Sequence, residues 1–85
     1  MTTLSNKDPE EVRLTLALLN TVERSSEQSH RRLSLELGIA LGLTNAYVRR
    51  CVKKGLLKVM KSKPQYYAYY LTPRGFAEKS RLTAE

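Results

Sequence analysis

Residues 29–55 read SHRRLSLELGIALGLTNAYVRRCVKKG, with a glycine at the end of each of two apolar segments. Ser29 is suited to cap a short helix over residues 30–37, because its hydroxyl can accept from a free N–H group of the first turn. Gly38 is suited to end that helix, because glycine adopts the left-handed conformation without strain. After a tight turn, a further helix is predicted over about residues 43–54, and it ends at another glycine. The stretch therefore predicts two short helices joined by a glycine-containing turn.

The predicted helix over residues 43–54 has two chemically different faces. One face repeats, at helical spacing, the side chains that suit a core: Thr44, Tyr47, Val48 and Cys51. The opposite face carries Asn45, Ala46, Arg49, Arg50 and Lys53. Because Cys51 lies in the apolar row and is the only cysteine, we interpret it as a core residue. The pattern predicts a helix that packs on one face and exposes a basic surface on the other.

Beyond the glycine that ends this helix, the apolar spacing changes from about 3.6 residues to two. Residues 57–61 and 67–71 read as two strands, and residues 62–65 read as the turn between them. The tip of the hairpin is basic, with Lys61 and Lys63 beside a proline. The sequence therefore predicts a β-hairpin directly after the basic helix.

Four tyrosines lie in or beside the second strand: Tyr66, Tyr67, Tyr69 and Tyr70. One interpretation is a platform on which the bases of a single nucleic-acid strand would stack. The favoured interpretation is packing, because strand alternation points Tyr69 and Leu71 toward the helices.

A longer helix precedes this stretch and another helix follows it. The Asp-Pro pair at residues 8–9 is suited to start a helix that runs to about Arg24, before a polar loop over residues 24–28. The main apolar stripe of this helix comprises Val12, Leu16, Leu19 and Val22, which Leu14 and Leu18 widen. By the same logic, the Thr-Pro pair at residues 72–73 starts the last helix. The predicted inward-facing residues of that helix are Phe76, Ala77 and Ser80.

The order of these elements predicts an α+β fold of the winged helix-turn-helix class. It comprises three helices, a two-stranded β-hairpin wing and a C-terminal helix. We predict one such domain over residues 8–85, after a flexible N-terminus over residues 1–7.

The net charge of +7 is distributed unevenly along the chain. Residues 1–45 carry five Lys or Arg against six Asp or Glu, a net charge of −1. Residues 46–85 carry ten Lys or Arg against two Glu, a net charge of +8. Such asymmetry points to a polyanion, most often nucleic acid, because each cation placed near a phosphate releases condensed counterions.

The basic helix has the dimensions to read double-stranded DNA, since an α-helix fits the major groove of the B form. In this interpretation the helix over about residues 43–54 lies in the groove. The side chains directed toward the bases are Leu43, Asn45, Ala46 and Arg49. Asn45 suits adenine and Arg49 suits guanine. Arg50 and Lys53 lie farther along the helix, where contacts to the DNA backbone are expected.

Two further segments are expected to contact DNA. The wing, over about residues 58–66, is predicted to lie over the backbone or the minor groove through Lys61 and Lys63. The start of the second helix adds Ser29, His30 and Arg31 to the predicted DNA-binding set. Of these, His30 is interpreted as a solvated or phosphate-facing residue.

Catalysis, metal binding and membrane insertion are not expected. The sequence has one His and one Cys, no glycine-rich phosphate loop and no obviously partnered acidic pair, so we expect no enzyme, no cofactor and no metal. Its longest apolar stretch is far shorter than the roughly 20 residues that span a bilayer, so we expect no membrane segment and no signal peptide.

A winged helix that binds protein or RNA remains the alternative, because a fold alone does not decide function. The basic helix and basic wing favour nucleic acid over a protein partner. A groove-reading helix suits B-form DNA better than the narrow major groove of A-form RNA.

Three segments resemble the winged-helix core of MarR-type transcriptional regulators: GIALG at 38–42, VKKGLLK at 52–58 and YYLTPRG at 69–75. With the tail AEKSRLT at 77–83, the chain is similar to small MarR-like regulators associated with bacterial exopolysaccharide gene clusters. In those regulators a segment like SHRRL at 29–33 opens the second helix. The resemblance covers roughly residues 10–83 and implies sequence-specific binding of double-stranded DNA by a bacterial transcriptional regulator. Ala46 departs from the pattern, since the subfamily usually has a larger residue there.

Regulators of this type usually dimerise and read two half-sites about one helical turn apart, so we predict a homodimer. The first and last helices are the expected contacts, because their leftover apolar residues Leu14, Leu18 and Leu82 need cover. The chain lacks the long outer helices of full MarR proteins, so we expect no small-molecule effector of the usual kind. A lone cysteine fits a reducing cytoplasm, which is the expected location.

Overall fold

The computed structural model describes residues 8–25, 27–63 and 66–84; side chains are described in these ranges except at positions 27, 28, 62, 63 and 66. The elements are α1 (Pro9–Arg24), β1 (Glu27–Gln28), α2 (His30–Leu37), α3 (Leu41–Lys53), β2 (Leu57–Lys63), β3 (Tyr66–Leu71) and α4 (Pro73–Ala84). This order confirms the predicted α+β winged helix-turn-helix class. The predicted flexible N-terminus, residues 1–7, lies outside the described residues. Among those described, no helix has the length and apolar character needed to cross a bilayer.

The first two helices begin at the capping residues that the sequence predicts. Oδ1 of Asp8 accepts from the backbone N–H of Glu10 at 3.1 Å, at the start of α1. Oγ of Ser29 accepts from the backbone N–H of Arg32 at 3.1 Å, at the start of α2. Gly38 ends α2 with φ 69°, the left-handed conformation that favours glycine.

α3 begins at Leu41, two residues before the predicted start. Ala40 precedes it in an extended conformation, and no side chain caps the helix. The Ala40 carbonyl instead accepts from the backbone N–H of Thr44 at 2.9 Å and from the Thr44 hydroxyl at 3.0 Å. The turn is therefore confined to residues 38–40, and Gly42 belongs to the first turn of the helix.

The sheet has three strands, in the order β1-β3-β2, where a two-stranded hairpin was predicted. β2 pairs antiparallel with β3 from Leu57 opposite Leu71 to Lys63 opposite Tyr66, and the register shifts between Lys61 and Lys63. β1 covers the other edge of β3 and lies in the segment predicted as a loop. The two polar residues of β1 have no local sequence pattern that predicts a strand, because β1 forms by pairing with β3, about forty residues later in the chain.

The core forms between α1, the short helices and the sheet. Its buried members are Leu14, Leu18, Leu19, Val22, Leu33, Leu37, Tyr47, Val48, Cys51, Leu56, Leu57 and Tyr69. Leu14, Leu18 and Leu82 are buried within one chain, so the expectation that they need a partner's cover is wrong. The reason is that α1 packs against α2, α3, α4 and β3 together, and its buried face is wider than one stripe.

α4 faces the core through different residues than predicted. Gly75 and Leu82 are buried, whereas Phe76, Ala77 and Ser80 are exposed. α4 has this orientation about its axis because Gly75 lies close to the backbone of Leu56. A Cβ atom on Gly75 would lie 2.2 Å from the Leu56 carbonyl oxygen. The helix therefore packs through its glycine and turns Phe76 outward.

Candidate nucleic-acid interface

α3 has the buried and exposed faces that the sequence predicts. Thr44, Tyr47, Val48 and Cys51 are buried. On the other side, Ala46, Arg49, Arg50 and Lys53 are exposed and line one shallow concavity. Leu43 lies in the first turn and is 46% exposed. Five of the six predicted recognition residues are therefore accessible on one helix, and Asn45 differs from them.

Asn45 is half-buried, and its amide is turned toward His30 at the start of α2. Its Oδ1 atom is buried and accepts no hydrogen bond of good geometry from the described residues. A contact between Asn45 and adenine would therefore require the side chain to rotate away from His30. Oδ1 of Asn45, the side chain that the sequence suggested for reading adenine, therefore lies inside the molecule.

His30, expected from the sequence to be solvated or to face a phosphate, is partly buried against the sheet. Its Nε2 atom and the Tyr69 hydroxyl share a hydrogen bond, and its ring stacks on Tyr67 with centroids 5.4 Å apart. Burial lowers the pKa of His30, and the neighbouring Asn45 amide offsets part of this shift. His30 therefore links the start of α2 to the sheet and is disposed to be neutral.

The tyrosines of β3 divide between packing and exposure. Tyr69 is 1% exposed, and burial raises the pKa of its hydroxyl to about 12. Tyr67 is half-buried beside His30, while Tyr70 is exposed. The side chain of Tyr66 lies outside the described residues. The favoured interpretation of Tyr69 as a packing residue agrees with its burial.

Arg50 is exposed but already has partners. Its Nη1 atom donates to Oε2 of Glu11 in α1 at 2.8 Å. Its guanidinium also lies over the Tyr47 ring, 5.1 Å from the centroid. A phosphate contact by Arg50 would therefore compete with Glu11. No local sequence pattern indicates this ion pair, because the two residues are 39 positions apart.

Four cations on α1 and on the C-terminal half of α4 are paired with carboxylates. On α1 and the C-terminal half of α4 the ion pairs are Arg13–Glu10, Arg24–Glu36, Lys79–Glu23 and Arg81–Glu78. By contrast, Arg31, Arg49, Lys53 and Lys61 form no ion pair with any described residue. Among the described residues, positive charge without a carboxylate partner is thus found on α3, at the start of α2 and on β2, and also at Lys54 and Arg74. Such charge suits an anionic surface.

The wing contributes a row of exposed residues on β2, from Lys58 to Lys61. Lys61 pairs with Tyr67 across the hairpin, and Lys63 is the last residue of β2. The tip, residues 64–65, and the side chain of Lys63 lie outside the described residues. Lys58 is an exposed cation that was not among the predicted site residues, although its place in the basic half of the chain was a signal.

At the start of α2, Ser29 and Arg31 have different roles. The Ser29 hydroxyl is used as the helix cap. Arg31 is exposed, as is the adjacent Arg32, which the sequence analysis did not include among the site residues. The accessible positive charge at this end therefore comes from two arginines and not from His30.

Solved structures with this fold include two transcriptional regulators and one DNA-binding protein. A MarR family transcriptional regulator from Silicibacter pomeroyi DSS has a TM-score of 0.71 at 20% identity, over 84% of this chain and 48% of that chain. The PcaV transcriptional regulator from Streptomyces coelicolor has a TM-score of 0.74 at 20% identity, over 84% and 54%. Sso10a-2, a DNA-binding protein from Sulfolobus solfataricus, has a TM-score of 0.71 at 18% identity, over 92% and 77%. The chain thus spans about half the length of the two regulators.

A family comparison adds a match at the level of sequence. No curated protein matches the chain. The family described as winged helix-turn-helix DNA-binding matches residues 13–58, which is more than half of the 85 residues. These residues run from α1 to the beginning of β2 and include both helices of the helix-turn-helix. The chain therefore belongs to the winged helix-turn-helix DNA-binding family.

Proposed function

We propose that this protein binds double-stranded DNA sequence-specifically as a MarR-type bacterial transcriptional regulator. The observation that carries the proposal is the exposed face of α3, where Arg49 and Lys53 form no ion pair with any described residue. A helix with such a face fits the major groove, and its cations replace counterions along the phosphates. The most specific part of this proposal is that the protein is one of the small MarR-like regulators associated with bacterial exopolysaccharide gene clusters.

The residues of the interface have separate tasks in this account. Arg49 reads guanine through its guanidinium, since arginine can donate twice to one guanine edge. Lys53 and Arg31 contact phosphates on either side of the groove. Lys61 and Lys63 place the wing over the neighbouring backbone or minor groove. Arg50 joins these contacts when it leaves Glu11.

A homodimer completes the proposed regulator, because one recognition helix covers only one half-site. Leu16 and Phe76 line a groove between α1 and α4, and Phe76 is 47% exposed. This groove takes the place of the buried leucines as the proposed contact between subunits. It lies on α1 and α4, as the sequence analysis expected, but it uses different residues.

The proposal is tested by selecting bound duplexes from a randomised DNA pool and measuring their affinities by fluorescence anisotropy. Enrichment of one sequence is expected with the wild type. Arg49→Ala should then bind all duplexes more evenly, with a loss of about 1 to 3 kcal/mol of discrimination at one position. Lys61→Ala should weaken every duplex alike. Absence of any enriched sequence would contradict sequence-specific binding.

Arg13→Ala is the matched control for these variants. It removes the same charge as Arg49→Ala, but Arg13 lies on α1 in an ion pair with Glu10. Its affinity should stay close to that of the wild type. An equal loss in Arg13→Ala and Arg49→Ala would mean that net charge, and not the face of α3, accounts for binding.

A further inference from the structure

The exposed side chains in the first two turns of α3 are apolar, and the polar Asn45 is only partly exposed. Leu41 is 44% exposed and Leu43 is 46% exposed, and Gly42 and Ala46 are exposed between them. Thr44 is buried, and its hydroxyl donates to the Ala40 carbonyl. The early part of a recognition helix is the part that contacts base edges. In this protein, that part of the helix presents apolar side chains at positions where polar side chains are common.

Asn45 does not supply the missing polar group. Its Oδ1 atom is buried, and its amide is turned toward His30. Arg49 begins the cationic part of the helix one turn later. The helix therefore changes along its length from an apolar reading surface to a basic one.

Leu43 and Ala46 lie three residues apart and hence on neighbouring positions of one helix face. Gly42 lies beside them and adds no side chain of its own. A Cβ atom at position 42 would meet nothing within 4 Å, and the φ angle of Gly42 is not positive. Neither packing inside the chain nor backbone conformation requires glycine at this position. The open space permits Leu43 and Ala46 to approach the floor of a groove closely.

We propose that Leu43 and Ala46 recognise the C5-methyl group of thymine in the major groove. The inference rests on the proposed DNA-binding function. Among the base edges of that groove, the thymine methyl is the apolar group, whereas the other features are hydrogen-bond donors and acceptors. A leucine and an alanine gain from burying that methyl and gain nothing from the polar edges. The preferred half-site therefore has thymine beneath the first two turns of α3.

The test replaces thymine by deoxyuridine, which removes the methyl group and keeps the hydrogen-bonding edge. A duplex selected from the randomised pool is prepared in matched copies, with deoxyuridine at one thymine position in each. At one or two positions the wild type should bind the substituted copy about fourfold more weakly, as expected for one buried methyl group. Equal binding of all the copies would overturn the inference and leave DNA binding intact.

Variants show whether the discrimination comes from these two residues. The double variant Leu43→Gln, Ala46→Ser keeps helix-compatible side chains of similar size and should bind the thymine and deoxyuridine copies equally. Val52→Gln is the matched control, because Val52 is an exposed apolar residue in the last turn of the same helix. It should retain the fourfold difference. A difference that survives in the double variant would not come from Leu43 and Ala46 and would overturn the inference.

Two readouts separate this inference from the proposed function. Thermal unfolding of each variant reports whether it is folded, and anisotropy at low salt reports whether it binds any duplex. A wild type that binds no duplex would overturn both proposals. A wild type that selects one sequence but ignores the methyl group would overturn the thymine proposal alone.

Discussion

His30, in the first turn of α2, shares a hydrogen bond with the phenol of Tyr69 in the middle strand of the sheet. The pair joins the helix-turn-helix to the wing across 39 positions of sequence. Tyr69→Phe removes the bond and leaves the ring in the core. We expect a loss of about 1 kcal/mol in the free energy of unfolding, measured by urea denaturation. An unchanged stability would show that the bond contributes nothing net.

The same pair predicts how stability depends on pH. Burial lowers the pKa of His30 below 6.5, the ordinary value for histidine, so the unfolded chain binds the proton first as the pH falls. The contribution of neutral His30 to the free energy of unfolding should therefore be fully present above pH 6.5. It should decrease as the pH falls from 6.5 toward the lowered pKa of the folded state. His30 is the only histidine, so His30→Gln should flatten this part of the profile. A slope that persists in the variant would contradict the assignment.

The Glu11–Arg50 ion pair predicts a variant that binds DNA more tightly. Glu11→Gln frees the guanidinium of Arg50 and removes one negative charge beside the interface. Affinity for duplex DNA should rise about two- to fivefold at low salt, and the gain should disappear in the double variant with Arg50→Ala. Glu10→Gln is the control, because Glu10 is paired with Arg13 instead. An equal gain in both single variants would indicate a general effect of charge.

Two glycines predict opposite effects of the same substitution. Gly75→Ala places a Cβ atom 2.2 Å from the Leu56 carbonyl oxygen and should destabilise the fold by about 2 kcal/mol. Gly42→Ala adds a methyl group in open space inside a helix and should stabilise the fold by about 0.5 to 1 kcal/mol. Chemical denaturation of both variants checks the pair. Similar changes of the same sign would contradict the described packing of α4.

The groove between α1 and α4 predicts which residues hold the proposed dimer. Phe76→Ser should shift the protein toward monomer in sedimentation measurements and should weaken binding to a site with two half-sites. Leu35→Ser is the matched control, since Leu35 is 77% exposed on α2 and away from the groove. A dimer that persists in Phe76→Ser, or a strictly monomeric wild type, would exclude this contact.

Local sequence signals predicted the helices and strands well, because caps and periodicity act over a few residues. Asp8, Ser29 and Gly38 act as predicted at the ends of their helices. The change in apolar spacing from about 3.6 residues to two also predicted the position of the wing. The start of α3 was placed two residues late, because Ala40 provides no capping side chain to mark it.

Features that depend on distant contacts were not predicted. β1 exists through pairing with β3, and Phe76 is outward because Gly75 meets Leu56. In the candidate site, the inward amide of Asn45 depends on His30, and the occupied guanidinium of Arg50 depends on Glu11. The sequence thus identified the basic face, whereas the structure identified which of its side chains are free.

Binding of double-stranded DNA by the exposed face of α3 can be measured by fluorescence anisotropy on a DNA duplex and an RNA duplex of the same sequence. We predict that the protein prefers DNA and that its affinity falls linearly on a log–log plot against salt. Replacing Lys53 by Ala should reduce the slope by about one. Equal or tighter binding to the RNA duplex, or no binding to DNA at low salt, would exclude double-stranded DNA as the preferred ligand and would favour an RNA or protein partner on the same face.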